Sequence, residues 1–265
     1  MSTGEMSKFK AVFNSTPLND GLYFFLQLIY RLYPEDAFHY AIAMAIKEKK
    51  TDEEIYKEVL NSLPEIKPFL QKLTYARRTN LNLKKELQQQ TLDILNDRTA
   101  INGYLQLGGN HNYASVLKKK VRITGMNILM PGEKGITDSL NQHAGMKGDS
   151  VDVVALYSGL HFYTSEQLHG IMSFIIRVLR KGGVVVIREY DVANEARQMF
   201  LDVIHSVINL ANNVSWQAES KEHRVFKPVT EWSTIIADHG FKDTGKRIVQ
   251  QKDPTLNTLM SFIKQ

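Results

Sequence analysis

The spacing of apolar residues changes near Ile101, and this change limits what the chain can fold into. From Leu18 to about Asn96, apolar residues recur every three or four positions, which is typical of packed helices. Beyond that point short apolar runs alternate with helical segments, the order that produces a mostly parallel sheet between helices. We therefore predict a helical cap or lid domain over residues 1–100 and an α/β domain over residues 101–265.

The α/β part is predicted to contain parallel strands, crossover helices and a final pair of strands. The predicted strands are Gly103–Leu107, Arg122–Ile128, Val151–Tyr157 and Val184–Glu189. The predicted helices are Tyr113–Lys119, Ser165–Leu179, Glu195–Asn212 and Thr230–His239. A polar turn at Asp253-Pro254 separates the last two strands, so we expect an antiparallel hairpin at the end of the sheet.

Composition excludes several kinds of site. The chain has no cysteine, which rules out disulfides, thiolate zinc sites and a cysteine nucleophile, and which favours a reducing compartment. The N-terminal residues lack the apolar core of a signal peptide, so we expect a cytoplasmic protein. The most apolar stretch, Leu22 to Tyr33, is too short for a membrane span and includes Gln27 and Arg31; we interpret it as a buried helix rather than an interfacial one.

Charge and histidine spacing give no signal for nucleic acid or metal. The net charge is +5, but basic residues are not concentrated, and Lys118-Lys119-Lys120 lies where cations favour a helix end. His161 and His169 are eight residues apart with no acidic residue to complete a ligand set. We predict no metal site.

A short glycine-containing turn follows the first predicted strand of the α/β part. It reads Tyr104-Leu105-Gln106-Leu107-Gly108-Gly109-Asn110-His111-Asn112. Glycine permits positive φ and close approach of a ligand to the backbone, and asparagine tolerates the left-handed region better than most residues. The turn therefore allows a ligand to approach its backbone closely.

A second informative stretch joins two strands through a helix. Residues Asp152–Phe162 form an apolar strand and its exit, and residues Arg177–Asp191 run from a helix end through Gly182-Gly183 into another apolar strand. In such sheets a ligand lies beyond the carboxyl ends of the strands, where the strand order reverses. This rule selects residues at the first and fourth strand ends, namely Gly108, Asn110, Tyr157 and Ser158.

These stretches, in this order, resemble the class I methyltransferase family, whose members use S-adenosylmethionine. The stretch Thr124–Ile128 resembles the family's second strand, and His239-Gly240-Phe241 resembles the helix exit before the final hairpin. The resemblance implies a Rossmann-like, seven-strand, mostly parallel sheet with an antiparallel C-terminal hairpin. It also implies S-adenosylmethionine as the cofactor.

The resemblance further implies which residues contact the cofactor. They are Gln106, Gly108, Gly109, Asn110, Asn127, Asp138, Ser139, Tyr157 and Ser158. Gln106 and Asn127 stand where the family has acidic residues, Asn127 at the position that binds the ribose hydroxyls. The stretch from Asn127 to Ile136 is too short for the usual helix, so the adenosine side of the pocket is expected to differ.

Methyl transfer requires positioning of donor and acceptor and sometimes removal of a proton. Candidates near the expected acceptor site are His161, Glu189, Tyr190 and Asp191, and His161 is equally interpretable as a packed histidine. The predicted activity is methyl transfer to oxygen or nitrogen of a small or medium acceptor held between the two domains. No motif identifies the acceptor, another partner or an oligomeric state.

Two other functions are compatible with the sequence. A catalytically inactive methyltransferase-fold module for binding or regulation would explain why Gln106, Asn110, Asn112 and Asn127 all depart from the family pattern. A nicotinamide-dependent oxidoreductase would share the first turn, but residues 177–183 and the terminal hairpin argue against it.

Overall fold

The computed structural model describes most of the chain. The described residues are 7–28, 35–66, 85–95, 98–108, 117–118, 121–129, 140–141, 143–157 and 159–265. They fall into two compact units, which we call the helical unit (Met1–Asn82, Ala193–Glu222 and Asp253–Thr255) and the sheet unit (Leu83–Val192, His223–Lys252 and Leu256–Gln265). The division of the chain into domains at residue 100 stays a prediction.

The helices and strands are numbered in chain order. The helices are α1 (Lys8–Asn14), α2 (Thr16–Leu28), α3 (Glu35–Glu48), α4 (Asp52–Ile66), α5 (85–94), α6 (Ser165–Val178), α7 (Glu195–Ala211), α8 (Trp216–Glu219) and α9 (Val229–Asp238). The strands are β1 (Ala100–Ile101), β2 (Tyr104–Leu107), β3 (Arg122–Ile123), β4 (Met126–Leu129), β5 (Val151–Leu156), β6 (Leu179–Tyr190), β7 (Phe241–Val249) and β8 (Asn257–Lys264).

The helical unit is held together by contacts of α7 with α1, α2 and α4. A capping box starts α4: Thr51 Oγ1 accepts a hydrogen bond from the Glu54 backbone, and the Glu54 carboxylate accepts one from the Thr51 backbone. Hydrogen bonds from the backbone of Lys50 and Thr51 lower the pKa of Glu54. Pro64 lies inside α4 rather than ending it, since the helix continues two residues further, to Ile66.

The sheet unit contains a six-stranded sheet in the order β4-β2-β5-β6-β8-β7. Neighbours from β4 to β6 are parallel, while β8 is antiparallel to both β6 and β7. This arrangement confirms the Rossmann-like fold and its terminal hairpin, although the described sheet has six strands rather than the seven expected. The segment predicted as one strand over Arg122–Ile128 is divided, since β3 pairs with β1 and only β4 joins the main sheet.

Side chains of β5 pack on both faces of the sheet because successive residues of a strand point in opposite directions. Val154 and Leu156 belong to a core cluster that includes Ile171 and Ile175 of α6. Val153 and Ala155 belong to a second cluster on the other face, which includes buried residues of α5. The strand is thus buried on both faces, which explains its almost wholly apolar sequence.

The glycine pair lies within β6, which begins at Leu179, and not between the helix end and the strand as predicted; it makes an irregularity in the strand. Gly182 has φ +73°, and a Cβ on Gly183 would lie 2.7 Å from the Arg180 carbonyl oxygen. β6 pairs with β5 on both sides of this irregularity, so the glycine pair sets the register of the buried residues from Val184 onward. Across the part of the chain that the structure describes, every helix is too short or too polar to traverse a lipid bilayer.

Candidate functional site

The carboxyl ends of β2, β4, β5 and β6 lie along one edge of the sheet, which we call the carboxyl edge. Leu107 is in register with Leu129 on one side and with Leu156 on the other, and Leu156 is in register with Ile187. β6 continues three residues farther, to Tyr190. Ligands of open α/β sheets bind at such an edge.

Gly108, the first residue after β2, has the backbone conformation that the sequence suggests. Gly108 has φ +67°, in the left-handed region that favours glycine. The side chain of Gln106 is fully buried, and its Nε2 donates a hydrogen bond of 3.0 Å to the Gly108 carbonyl oxygen. Gln106 thus holds the first residue of the turn through its amide.

His161 and Glu189 form a buried pair at the ends of β5 and β6. The Nδ1 atom of His161 lies 2.7 Å from Oε1 of Glu189, and the side chains are 4% and 0% exposed. The same carboxylate accepts hydrogen bonds from the backbone N–H groups of His161 (3.2 Å) and Tyr190 (2.8 Å). An ionised carboxylate only accepts, so Nδ1 is the protonated nitrogen and, in a neutral ring, Nε2 carries the lone pair.

Aromatic rings and one glycine fix the orientation of the His161 ring. The ring centroid lies 4.2 Å from that of Phe162, 5.0 Å from Tyr190 and 5.1 Å from Phe226. A Cβ on Gly159 would lie only 2.0 Å from Cε1 of His161, so the ring occupies the space that a side chain at residue 159 would need. These contacts hold the imidazole in one position against the Glu189 carboxylate.

The other two candidates for catalysis follow Glu189 directly. Tyr190 is half-buried, and its ring is also 5.9 Å from Phe226. Asp191 is half-buried as well, and its carboxylate accepts a hydrogen bond of 3.1 Å from the backbone of Val229 at the start of α9. Asp191 therefore stabilises the N-terminus of that helix, where a negative charge is favourable.

Tyr157 follows β5, and its hydroxyl group is buried. That hydroxyl lies 2.9 Å from Thr91 Oγ1 and 3.4 Å from the hydroxyl of Tyr104. Burial raises the pKa of Tyr104 well above its ordinary value, and the neighbouring Tyr157 adds to the shift. The Tyr157 hydroxyl thus belongs to a hydrogen-bonded chain of buried groups.

Asn127 lies within β4 rather than at its end. It is exposed and is in register with Leu105, two residues before the strand ends at Leu129. The predicted cofactor contacts Gly109, Asn110, Asp138, Ser139 and Ser158 lie outside the described residues. Among the residues that are described, no three His, Asp or Glu side chains converge as metal ligands would.

Sequence reasoning missed several residues that shape this site. Phe226 comes from a segment after α8, 65 positions beyond His161, and it is joined to the site because the Val225 N–H donates to the His161 carbonyl oxygen over 2.8 Å. Thr91 is on α5 and Gly159 lies in the Gly159-Leu160-His161 turn. Only the glycine, two residues before a candidate histidine, gave a local signal in the sequence.

Comparisons with known proteins were made at three levels. No protein-family model matches the chain, and no curated protein matches it by sequence. Solved structures with a similar arrangement include an O-methyltransferase family protein from Burkholderia thailandensis (16% identity, 73% of this chain and 61% of that chain, TM-score 0.45). Another is the S-adenosylmethionine-dependent methyltransferase SibL in its apo form (12%, 79% and 61%, TM-score 0.46).

A third similar structure is the 1,6-didemethyltoxoflavin-N1-methyltransferase of Burkholderia thailandensis with 1,6-didemethyltoxoflavin and S-adenosylhomocysteine bound (13% identity, 80% of this chain and 87% of that chain, TM-score 0.46). This chain spans about three fifths of the length of the first two structures. The class of fold follows from the sheet itself, whose parallel strands and antiparallel terminal hairpin are those of the class I methyltransferase fold expected from the sequence.

Proposed function

We propose that this protein is a methyltransferase that moves the methyl group of S-adenosylmethionine to oxygen or nitrogen of a small or medium acceptor. The observation that carries the proposal is the buried His161–Glu189 pair at the same carboxyl edge as the left-handed Gly108. A nucleotide turn and a positioned base are the two parts that such a reaction needs. The sequence resemblance of residues 152–162 and 177–191 supports the same function.

The described start of the turn, Gly108, fits a bound nucleoside. Gly108 adopts positive φ and accepts a hydrogen bond from Gln106 at its carbonyl oxygen, so this residue is held in place without the usual acidic residue. We assign cofactor contacts to Gln106, Gly108, Gly109, Asn110, Asn127, Asp138, Ser139, Tyr157 and Ser158. Bound S-adenosylmethionine supplies an electrophilic methyl group, whose bond to sulfur breaks as the bond to the acceptor forms.

The chain's own residues then position the acceptor and remove its proton. We assign His161 as the base that accepts the acceptor's proton at Nε2, with Glu189 stabilising the imidazolium through the 2.7 Å bond to Nδ1. Nε2 is buried in the described structure, so this step requires the aromatic residues around the ring to move when the acceptor binds. We assign Tyr190 and Asp191 to the same catalytic site. The Tyr190 ring packs on His161, and the Asp191 carboxylate stabilises the N-terminus of α9. The aromatic rings around His161 exclude water and keep the base oriented.

Titration calorimetry with S-adenosylmethionine tests the proposal directly, and Gly108→Ala is the informative variant. Alanine at a residue with positive φ is strained, and its methyl group would stand at the turn. Gly245→Ala is the matched control, because Gly245 lies in the edge strand β7, has φ +75°, and a Cβ added there would meet nothing within 4 Å. We expect Gly108→Ala to weaken binding at least roughly tenfold and Gly245→Ala to leave the dissociation constant unchanged. No binding of S-adenosylmethionine at millimolar concentration would refute the proposal.

A binding or regulatory module without catalysis is the second candidate. It is favoured by the fully satisfied Glu189 carboxylate, which accepts three hydrogen bonds and could serve only to hold the loop at His161. Mass spectrometry of ligands that copurify with the protein discriminates the two. Copurifying S-adenosylhomocysteine, or methyl transfer from labelled S-adenosylmethionine to any acceptor, counts against the inactive module.

A further inference from the structure

Helices α3 and α4 line a half-open cavity within the helical unit. Its volume is about 350 Å³, which is within the range of sites for small organic molecules. Three alanines, Ala37, Ala41 and Ala45, recur every fourth residue on the face of α3 that lines it. Small side chains along one stripe of a helix leave space that larger residues would fill, so the cavity follows from the sequence of α3.

The described lining combines apolar side chains with three carboxylates. Met44 and Ile66 extend the apolar surface made by the alanines. Carboxylates of Glu48, Glu58 and Glu65 also line the cavity. Glu48 and Glu65 are exposed, whereas Glu58 is partly exposed and lies 3.2 Å from Lys49 Nζ.

The charge around the cavity is not balanced by its own walls. Among the described residues that line it, none carries a positive charge, and the single lysine paired with Glu58 neutralises one carboxylate of three. The ring of Tyr40 also lines the cavity and is 65% exposed, so its face is available to a cation. A half-open apolar cavity with carboxylates among its lining residues is complementary to a molecule that carries an apolar body and one positive charge.

We propose that this cavity binds a small organic cation, an aryl-alkyl or alkyl amine, with its apolar body against the alanines of α3 and its ammonium group among the carboxylates. The assignment concerns the helical unit alone and does not depend on methyl transfer. It is therefore tested by binding, in protein that carries no methyl donor.

The probe is 2-phenylethylamine, compared with two molecules of similar shape. 2-Phenylethanol replaces the ammonium group by a neutral hydroxyl, and 3-phenylpropanoate replaces it by a carboxylate. Binding is measured by calorimetry and by chemical-shift changes in amide resonances of α3 and α4. We expect saturable binding of the amine roughly tenfold tighter than of the alcohol, weakening at high salt, and no binding of the anion.

Two variants on α4 distinguish a carboxylate that lines the cavity from a carboxylate elsewhere on the same helix. Glu65→Gln removes a carboxylate at the cavity, while Glu53→Gln removes one that lies outside the lining and bonds to Lys57 over 2.5 Å. Glu65→Gln is expected to reduce the preference for the amine roughly two- to fivefold, and Glu53→Gln to leave it unchanged. Ala41→Leu fills the cavity and is expected to abolish binding of both the amine and the alcohol.

Three results would overturn the proposal: no saturable binding of the amine at millimolar concentration, equal binding of the amine and the alcohol, or equal effects of Glu65→Gln and Glu53→Gln. Both glutamates are exposed, so neither substitution endangers folding, and circular dichroism verifies this. These three results do not depend on whether the protein binds S-adenosylmethionine, so failure of the proposed methyl transfer would not change what they mean.

Discussion

The packing of Gly159 against His161 makes a sharp prediction about stability. A Cβ at residue 159 would lie 2.0 Å from Cε1 and 2.2 Å from Nδ1 of His161, whereas carbon atoms pack at about 3.5–4.0 Å. The backbone of Gly159 has φ −56°, which any residue adopts, so the imidazole is the obstacle to a side chain. We predict that Gly159→Ala displaces the ring and breaks its bond to Glu189.

The size of the effect follows from the contacts that are lost. Breaking a hydrogen bond to a charged group costs about 1.5–3 kcal/mol, and forcing a side chain through a close-packed region costs about 1–3 kcal/mol. Because Glu189 is fully buried, water does not replace the lost donor. The expected loss in free energy of unfolding is therefore about 2.5–6 kcal/mol.

Urea unfolding followed by circular dichroism measures this loss, and Gly170→Ala is the matched control. Gly170 is exposed in α6, and a Cβ at this residue would have no other atom within 4 Å. The same chemical change should there stabilise the protein by about 0.5–1 kcal/mol, because alanine favours a helix. The two glycine substitutions are thus predicted to change the free energy of unfolding in opposite directions.

A double-mutant cycle tests whether the His161 ring is what disfavours a side chain at residue 159. In a His161→Ala background the ring is gone, so Gly159→Ala should cost less than about 0.5 kcal/mol. An equally large cost in both backgrounds would show that the loop, and not the imidazole, disfavours alanine. A wild-type-like stability for Gly159→Ala would show that the ring does not occupy the described position.

Three further predictions concern pH and capping. Burial raises the pKa of Tyr104, so its hydroxyl stays protonated in the folded state while an unfolded tyrosine ionises at about pH 10. The free energy of unfolding therefore falls above that pH, and Tyr104→Phe should reduce this fall in urea titrations between pH 9 and 11. Hydrogen bonds from Arg247 lower the pKa of Asp243 in the folded state. This carboxylate therefore stabilises the fold above its unfolded pKa of about 3.9 and ceases to do so as the pH falls through its folded-state pKa. Asp243→Asn should weaken the loss of stability in acid. Thr164→Ala removes the hydroxyl that caps α6 and should cost about 0.5–2 kcal/mol, measured by thermal unfolding, with Thr164→Ser close to wild type.

The order of strands and helices in the sheet unit was predictable because it depends on local patterns. The apolar run of Val151–Leu156 and the helix over Ser165–Val178 appear where periodicity placed them, within one residue at each end. The terminal hairpin was also encoded in short stretches of sequence. The helix α1 was not predicted, because seven residues offer too short a window for a periodic signal.

The candidate site was predicted as residue types but not as contacts. His161 and Glu189 were each singled out, yet nothing in the sequence indicated that residues 28 positions apart share a 2.7 Å bond. The burial of the Tyr157 hydroxyl depends on Thr91, which comes from a helix before the sheet. Pairings of this kind depend on how strands are ordered, which local spacing does not record.

The sequence by itself determined the succession of helices and strands, the glycine at the turn after β2 and the candidate residues at the strand ends. These depend on side-chain period and on backbone preferences within a few residues. Only the tertiary structure decided that Glu189 faces His161, that Phe226 packs on the same ring and that Gly159 makes room for it. The physical reason is that such contacts arise from the register of neighbouring strands and from loops that return to the sheet from distant parts of the chain.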